Sequence, residues 1–446
     1  MRAVGVIRRS QGERISKEEF EELLESAGYE VLSILEQNRK EHPRYNIGKG
    51  KVEELRKLVK ELEPDKVIFA NRLTPSQAYN LWKELRTDVI DRWQLVLEIF
   101  EKRAHSKEAK LQVELASLQY EIPLVKEAIR RIKLGDRAGF KGMGEYQTRQ
   151  YLKHIRHRMA KIRKELERVK SEREVRRKRR EELGFILLAL AGYTNAGKST
   201  LLNALAGDSV DARNQMFTTL DTTTRKFKLG GKRVLVTDTV GFIDNLPPFI
   251  VEAFHSTLEE IVRADLILLV LDASEPCREM ARKFRASIDV LREIRALEKP
   301  IIVVLNKLDL IGVDDAAKKK KLLKELAEMI GVSIEGIAAV SAKEKRLKEL
   351  HHALSRIIPR LPKYGTFEVT VRDPAKVPAI IAFLNSVGDV ISIEYSQETK
   401  ILAHIQRGLI GELIKLGGDV RRANSSVMGF NTDSGGGKGP KAFQRN

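Results

Sequence analysis

The pattern of apolar and polar positions changes several times along the 446 residues of the chain. Up to about residue 103, short apolar runs that indicate strands alternate with apolar positions three and four apart, which indicate helices. We therefore expect a small α/β domain over residues 1–104. Its strands are predicted at 31–35, 67–69 and 89–90, and its helices at 52–62, near 77–85 and after Ser16, which forms a capping-box pattern with Glu19.

Residues 105–182 have purely helical periodicity, and they predict a long helical hairpin joined by the glycine-bearing loop 135–144. The facing apolar stripes are Leu111, Leu115, Leu118 and Ile122 on one arm, and Ile155, Met159, Ile162, Leu166 and Val169 on the other. The second arm is basic and ends in five consecutive cations at 176–180. This charge either contacts a phosphate backbone or forms a solvated helix with Glu165, Glu167 and Glu172 as intrahelical partners.

From residue 183 to 361, strands again alternate with helices, at the spacing of a doubly wound parallel sheet. Residues 365–422 predict a small α+β domain with the order βαββα. Residues 423–446 turn to Ser, Gly, Asn and Lys, and such a segment buries too little apolar surface to order itself, so we expect a disordered tail.

The composition narrows the class of protein. A formal charge of +19 and a pI near 9.7 favour a polyanionic partner, most simply RNA or a nucleoprotein surface. The longest apolar stretches, 185–191 and 266–271, are far shorter than the roughly 20 residues of a membrane span. A single cysteine, Cys277, excludes an internal disulfide framework. We expect a cytoplasmic protein with neither a membrane nor DNA as its partner, and a monomer.

Residues 192–199, Gly-Tyr-Thr-Asn-Ala-Gly-Lys-Ser, follow an apolar strand pattern and precede a helical one. Glycines at this junction let backbone N–H groups wrap phosphates, and the helix N-terminus adds partial positive charge. Lys198 is expected to reach the β and γ oxygens, and Ser199 to bind Mg²⁺. The phosphate-contacting set is predicted to comprise Gly192, Asn195, Ala196, Gly197, Lys198, Ser199 and Thr200.

A second phosphate-sensing pattern, Asp-x-x-Gly, ends the strand before Gly241. Asp238 is expected to hold the Mg²⁺ shell, and the N–H of Gly241 to contact the γ-phosphate. The polar stretch 208–225 reads as a mobile switch, in which Thr219 is the predicted switch hydroxyl on Mg²⁺ and Thr218 the alternative. The same composition also suits an ordinary surface loop. We expect Lys198, Thr219 and Gly241 to act in hydrolysis.

A buried strand at 301–305 delivers Asn-Lys-x-Asp at its carboxyl end. The carboxylate of Asp309 can accept hydrogen bonds from guanine N1–H and its exocyclic amine, which adenine cannot offer. Asn306 is expected to support the loop, the stem of Lys307 to cover the base, and the segment Ser341, Ala342 and Lys343 to offer an N–H to guanine O6. GTP or GDP is therefore the predicted ligand.

These motifs resemble those of the HflX family of GTPases. The resemblance rests on residues 192–200, on Phe-Thr-Thr-Leu-Asp at 217–221, on Asp-Thr-Val-Gly-Phe-Ile at 238–243 and on Asn-Lys-Leu-Asp at 306–309. It extends to residues 45–51, 89–92, 111–116 and 142–145, and so covers roughly residues 1–360. One departure is Gly-Met-Gly-Glu-Tyr at 142–146, where many members have Gly-Pro-Gly-Glu-Thr.

The resemblance implies a GTP-switched protein that binds the large ribosomal subunit or its rRNA, and that in some members splits ribosomes or rescues stalled ones. A nucleotide-regulated RNA chaperone or remodeller is the alternative. We expect slow hydrolysis that a partner stimulates, because Phe242 occupies the position where Ras-like proteins carry a water-orienting glutamine. Asn195 stands where potassium-activated GTPases bind a cation, although asparagine also simply suits a tight loop.

Overall fold

The computed structural model describes residues 1–10, 15–134, 145–182, 185–207, 223–229, 232–242 and 255–423. Within them the chain divides into two compact units. The first comprises the described residues of Met1–Leu229 and Arg233–Ile358, and the second those of Gly230–Lys232 and Pro359–Asn446. Each unit is described by itself.

The first sheet of unit one is parallel, with the strand order β2-β1-β3-β4. Its strands are β1 (Arg2–Arg9), β2 (Glu30–Asn38), β3 (Lys66–Phe69) and β4 (Asp88–Asp91), and its helices are α1 (Lys17–Ser26), α2 (Lys49–Leu62), α3 (Pro75–Leu85) and α4 (Arg92–Arg103). The predicted strands and helices are confirmed, whereas α4 and β1, which lies inside the sheet, were not predicted. Ser16 caps α1 by accepting from the N–H of Glu19, but the Glu19 side chain pairs with Arg92 instead of completing a capping box.

Two long helices, α5 (Lys107–Lys133) and α6 (Glu145–Glu182), form the predicted hairpin. The predicted stripes meet around Leu111, Leu115, Ile155, Met159 and Ile162, with Val125 as an additional buried member. The Arg158 guanidinium donates to both carboxylate oxygens of Glu114 at 2.6 and 2.7 Å and joins the two arms. The loop 135–144 and the side chains of the basic run 176–180 lie outside the described residues.

The second sheet of unit one has six strands in the order β10-β9-β8-β5-β7-β6. They are β5 (Ile186–Gly192), β6 (Thr223–Leu229), β7 (Lys232–Asp238), β8 (Leu266–Asp272), β9 (Ile301–Asn306) and β10 (Gly336–Ala339). The neighbouring pairs β10–β9, β9–β8, β8–β5 and β5–β7 are parallel. The helices are α7 (Lys198–Ala206), α8 (His255–Arg263), α9 (Cys277–Glu293), α10 (Val313–Ile330) and α11 (Lys348–Ile357). This is the predicted doubly wound domain, and the carboxyl ends of β5, β7, β8 and β9 share one edge.

The second unit holds an antiparallel sheet with the order β12-β13-β11-β14. Its elements are β11 (Tyr364–Val371), α12 (Val377–Val387), β12 (Asp389–Glu394), β13 (Thr399–Gln406), α13 (Ile410–Lys415) and β14 (Asp419–Arg422). The order βαββαβ contains one strand more than we predicted. The predicted tail from residue 424 onward lies outside the described residues.

In the described part of the chain, no helix combines the length and the apolar character needed to cross a membrane. Those residues also contain no cluster of three or more His, Cys, Asp or Glu side chains that could hold a metal ion.

Candidate functional site

The loop between β5 and α7 has a backbone conformation that only a few residue types adopt readily. Gly192 has φ 138° and Gly197 has φ 85°, both in the region that disfavours a Cβ atom. A Cβ on Gly192 would lie 2.2 Å from the carbonyl oxygen of Val270 in the neighbouring strand. Asn195 also has a left-handed φ, 61°, which asparagine adopts more readily than most residues. The glycine pattern therefore builds a tight turn against β8.

Lys198 opens α7 and is buried, with 7% of its surface exposed. Its Nζ donates to the carbonyl oxygens of Gly192 at 3.0 Å and Tyr193 at 2.8 Å, so the amine lies inside the glycine loop. Burial lowers the pKa of Lys198 to about 8, and the nearby carboxylate of Asp238 opposes this shift.

Two of the three predicted metal ligands, Ser199 and Asp238, lie in the described residues and contact each other. Ser199 donates through Oγ to Oδ2 of Asp238 at 2.6 Å, and Asp238 is fully buried at the end of β7. A hydroxyl beside a carboxylate is a donor set that suits a hard cation such as Mg²⁺. Thr200 lies half-buried in the first turn of α7. The switch threonine Thr219, like its alternative Thr218, lies outside the described residues.

The Asp-x-x-Gly segment lies directly on the glycine loop. The N–H of Phe242 donates to the oxygen of Gly192, and the N–H of Thr194 donates to the oxygen of Phe242, each at 2.9 Å. Gly241 is packed so closely that an added Cβ would lie 3.1 Å from Nζ of Lys198. Phe242 is 1% exposed within the apolar core, as expected of a side chain that does not orient water.

The predicted base-binding residues also lie together. Asn306 donates through Nδ2 to the oxygen of Ala196 at 3.0 Å and accepts through Oδ1 from the N–H of Ala342 at 3.0 Å. Its amide thus ties the phosphate loop to the segment after β10. Ser341 donates to Oδ1 of Asp309 at 2.5 Å, and this hydrogen bond lowers the pKa of the Asp309 carboxyl. The carboxylate is therefore ionised and oriented, as recognition of two N–H donors requires.

Lys307 has a left-handed backbone, with φ 65°, and its Nζ lies 2.6 Å from Oδ2 of Asp272 at the end of β8. This ion pair holds the stem that was predicted to cover the base. Lys343 is exposed. Sequence reasoning missed Asp272, although its position at the end of a buried strand beside β9 was a usable signal.

Helix α1 also contacts the phosphate loop, which no local sequence pattern indicated. Asn195 donates through Nδ2 to Oε1 of Glu22 at 2.7 Å, and the Tyr193 hydroxyl donates to Oε1 of Glu19 at 3.1 Å. The Tyr193 ring also lies beside Lys283, whose Nζ is 4.7 Å from the ring centroid. Burial raises the pKa of Glu22, although the charges of Lys283 and Lys307 oppose the shift.

The sheet brings a buried lysine after a glycine loop, a serine–aspartate pair and an oriented carboxylate to one edge. This arrangement is that of the P-loop GTPases. Three family models match the chain: "GTP-binding GTPase N-terminal" over residues 14–101, "GTP-binding GTPase Middle Region" over 103–180 and "50S ribosome-binding GTPase" over 187–307.

The chain is 71% identical over 429 residues to a GTPase HflX of Thermococcus kodakarensis, which covers 96% of this chain and 97% of the relative. It is 46% identical over 341 residues to that of Methanocaldococcus jannaschii, covering 76% and 83%. A GTP-binding protein from Sulfolobus solfataricus, solved in complex with GDP, is 28% identical with a TM-score of 0.45 and covers 81% of this chain and 99% of that chain. The chain belongs to the GTPase HflX family and is a GTP-hydrolysing enzyme.

Proposed function

We propose that this protein is a GTP-controlled switch that binds the large ribosomal subunit through rRNA in its GTP form, and that it splits or rescues ribosomes. The observation that carries the proposal is the match of residues 187–307 to a family described as 50S ribosome-binding GTPases. The charge of +19 supports a contact with RNA. A ribosomal partner also favours the cytoplasm as the site of action, with a monomer as the working form.

In this proposal the glycine loop from Gly192 to Thr200 binds the phosphates, and Asp309 reads guanine with the help of Asn306, Lys307 and the segment 341–343. Ser199, Asp238 and Thr219 would hold Mg²⁺, which would neutralise charge on the phosphates. Lys198 and the N–H of Gly241 would contact the γ-phosphate.

Potassium activation through Asn195 is a separate part of the hypothesis. Asn195 already serves the loop through its left-handed backbone and through the hydrogen bond to Glu22. These two roles account for an asparagine at this position without a bound cation. Equal rates of hydrolysis in potassium and in sodium would remove this part of the hypothesis and leave the rest unchanged.

We also infer four folded regions, 1–104, 105–182, 183–361 and 365–422, followed by a tail at 423–446. In the proposed cycle, the first two regions carry the RNA contact and the third carries the nucleotide. The nucleotide state then sets the affinity for the ribosome.

The test is GTP turnover by the purified chain, alone and with small subunits, large subunits or naked rRNA, at fixed potassium and magnesium. We expect slow turnover alone and selective stimulation by large subunits, because a partner must order a site that has phenylalanine in place of glutamine. Equal stimulation by naked rRNA would support an RNA chaperone or remodeller instead. Fast turnover of several per second by the protein alone would contradict the account of the site.

A further inference from the structure

Thr194 carries a hydroxyl that the predicted chemistry does not use. The residue lies in the glycine loop and is 3% exposed, and its Oγ1 is buried without a hydrogen-bond partner among the described residues. Such a group loses its hydrogen bonds to water and gains nothing in return. Valine would fill the same volume without this penalty, so a threonine here calls for a functional explanation.

The position of Thr194 suggests that explanation. Its Cγ2 lies 2.7 Å from the point where a Cβ on Gly241 would stand, and Nζ of Lys198 lies 3.1 Å from the same point. The N–H of Thr194 donates to the oxygen of Phe242. The methyl group of Thr194 therefore faces both the phosphate-binding lysine and the glycine that senses the γ-phosphate. Rotation about the Cα–Cβ bond would bring the hydroxyl to the same place, and the hydroxyl breaks no hydrogen bond to the described residues when it moves.

Other hydroxyls nearby are already engaged. Ser199 donates to Asp238, and Thr239 donates through Oγ1 to the oxygen of Leu190 at 2.7 Å. Thr237 shares a hydrogen bond with Thr224. Phe242 has no polar atom in its side chain. Among these groups Thr194 is the one whose hydrogen-bonding capacity is unused.

We propose that Thr194 is a catalytic residue for GTP hydrolysis. With its hydroxyl rotated toward Gly241, Thr194 donates to a γ-phosphate oxygen and accepts from the attacking water. It thereby supplies part of the water orientation that Phe242 cannot provide. The water oxygen forms a bond to the γ-phosphorus while the bond to the β–γ bridging oxygen breaks. The water proton passes to a γ-phosphate oxygen, so the products are GDP and inorganic phosphate, and the threonine ends unchanged.

The test compares Thr194→Val, which keeps the shape and removes the hydroxyl, with Thr194→Ser, which keeps the hydroxyl. Single-turnover GTP hydrolysis, GDP affinity and thermal unfolding are measured for the full chain. We expect T194V to lower the rate about 10- to 100-fold with GDP affinity unchanged, and T194S to stay within about threefold of wild type. Thr370→Val in β11, far along the chain from the loop, is the matched control and should leave the rate unchanged.

A wild-type rate in T194V would overturn the proposal. Failure of T194S to restore the rate would overturn it as well, because the hydroxyl would then not be the group that matters. A parallel fall of GDP affinity and rate in both variants would assign Thr194 to the packing of the loop. All three outcomes are independent of whether the ribosome is the partner, since no ribosome is present in the assay.

Discussion

The two sheets of the first unit each place glycine and lysine at the start of a helix, yet only in the second sheet does the loop wrap around its lysine. In the first sheet, Gly48 has an ordinary φ of −69°, and its N–H donates to the side chain of Gln37. Lys49 is exposed, and Lys51 pairs with Glu54 on the same helix. In the second sheet, the glycines have positive φ values and Lys198 lies buried among carbonyl oxygens.

The difference shows that the presence of glycine and lysine residues is not enough to form a loop that encloses the lysine. What separates the two is the backbone: the second loop is turned back on its own strand, so its carbonyl oxygens surround the lysine. The first loop leads directly into α2, and its lysines extend to solvent or to carboxylates. The contacts of residues 48–51 are therefore those of an ordinary lysine-rich turn at the start of a helix.

The largest effect that tests this comparison comes from the two lysines. Lys198→Ala should lower GTP hydrolysis about 100- to 1,000-fold, because it removes the cation that in the proposed function contacts the γ-phosphate. Lys49→Ala should leave the rate within about twofold of wild type. Rates are measured at saturating GTP, with GTP affinity determined in parallel. If K49A lost as much GTP affinity as K198A, the first sheet would also bind the nucleotide.

The glycines offer the next contrast. A Cβ on Gly197 would lie 2.3 Å from Nδ2 of Asn306, and the residue has φ 85°, whereas nothing lies within 4 Å of a Cβ on Gly50. Gly197→Ala should therefore weaken GDP binding about tenfold or more and lower the unfolding free energy by about 1–3 kcal/mol. Gly50→Ala should raise it by about 0.5–1 kcal/mol, since Gly50 lies in α2. Thermal unfolding and GDP titration measure both effects, and destabilisation by G50A would contradict this interpretation of the first loop.

The third test is the pH dependence of stability without nucleotide. The pKa of Lys198 is about 8 in the folded chain against an ordinary value of 10.5. Between these values the unfolded chain binds the additional proton, so stability should rise with pH, by up to about 1.4 kcal/mol per pH unit. Below pH 8 both states are protonated, and the contribution is constant.

Lys198→Met removes this titration and keeps much of the side-chain volume. The difference in unfolding free energy between wild type and K198M should therefore change between pH 8 and pH 10 in favour of wild type, and should be flat between pH 6 and pH 7.5. Chemical denaturation at each pH measures it. A flat difference over the whole range would show that the amine is less buried than its contacts indicate.

The features that the sequence predicted are those with a local signal. The phosphate loop, Asp-x-x-Gly and Asn-Lys-x-Asp have fixed spacings after apolar strands, and the hairpin stripes repeat every three and four residues. Strand β1 was missed because it is buried on both faces, so it shows no alternation, and because Gly5 interrupts its apolar run. Strand β14 was missed because Asp419–Arg422 is mostly polar and exposed.

The contacts between α1 and the phosphate loop could not be predicted in this way. Glu19 and Glu22 lie more than 170 residues before Tyr193 and Asn195, and each carboxylate is half-buried only through tertiary packing. In the sequence they are ordinary polar positions of an amphipathic helix. The same applies to Val240, which lies in the Asp-x-x-Gly segment but packs into the apolar cluster of the first sheet.

Helix α6 has a mechanical consequence. Its 38 residues extend about 57 Å, and Arg263 of α8 holds Glu174 near its carboxyl end at 2.7 Å. Because a helix of this length is stiff compared with a loop, a movement at one end would be transmitted along the hairpin that α6 forms with α5. A rotation of about 5° at the end beside α8 would displace the far end by about 5 Å, roughly the pitch of one helical turn.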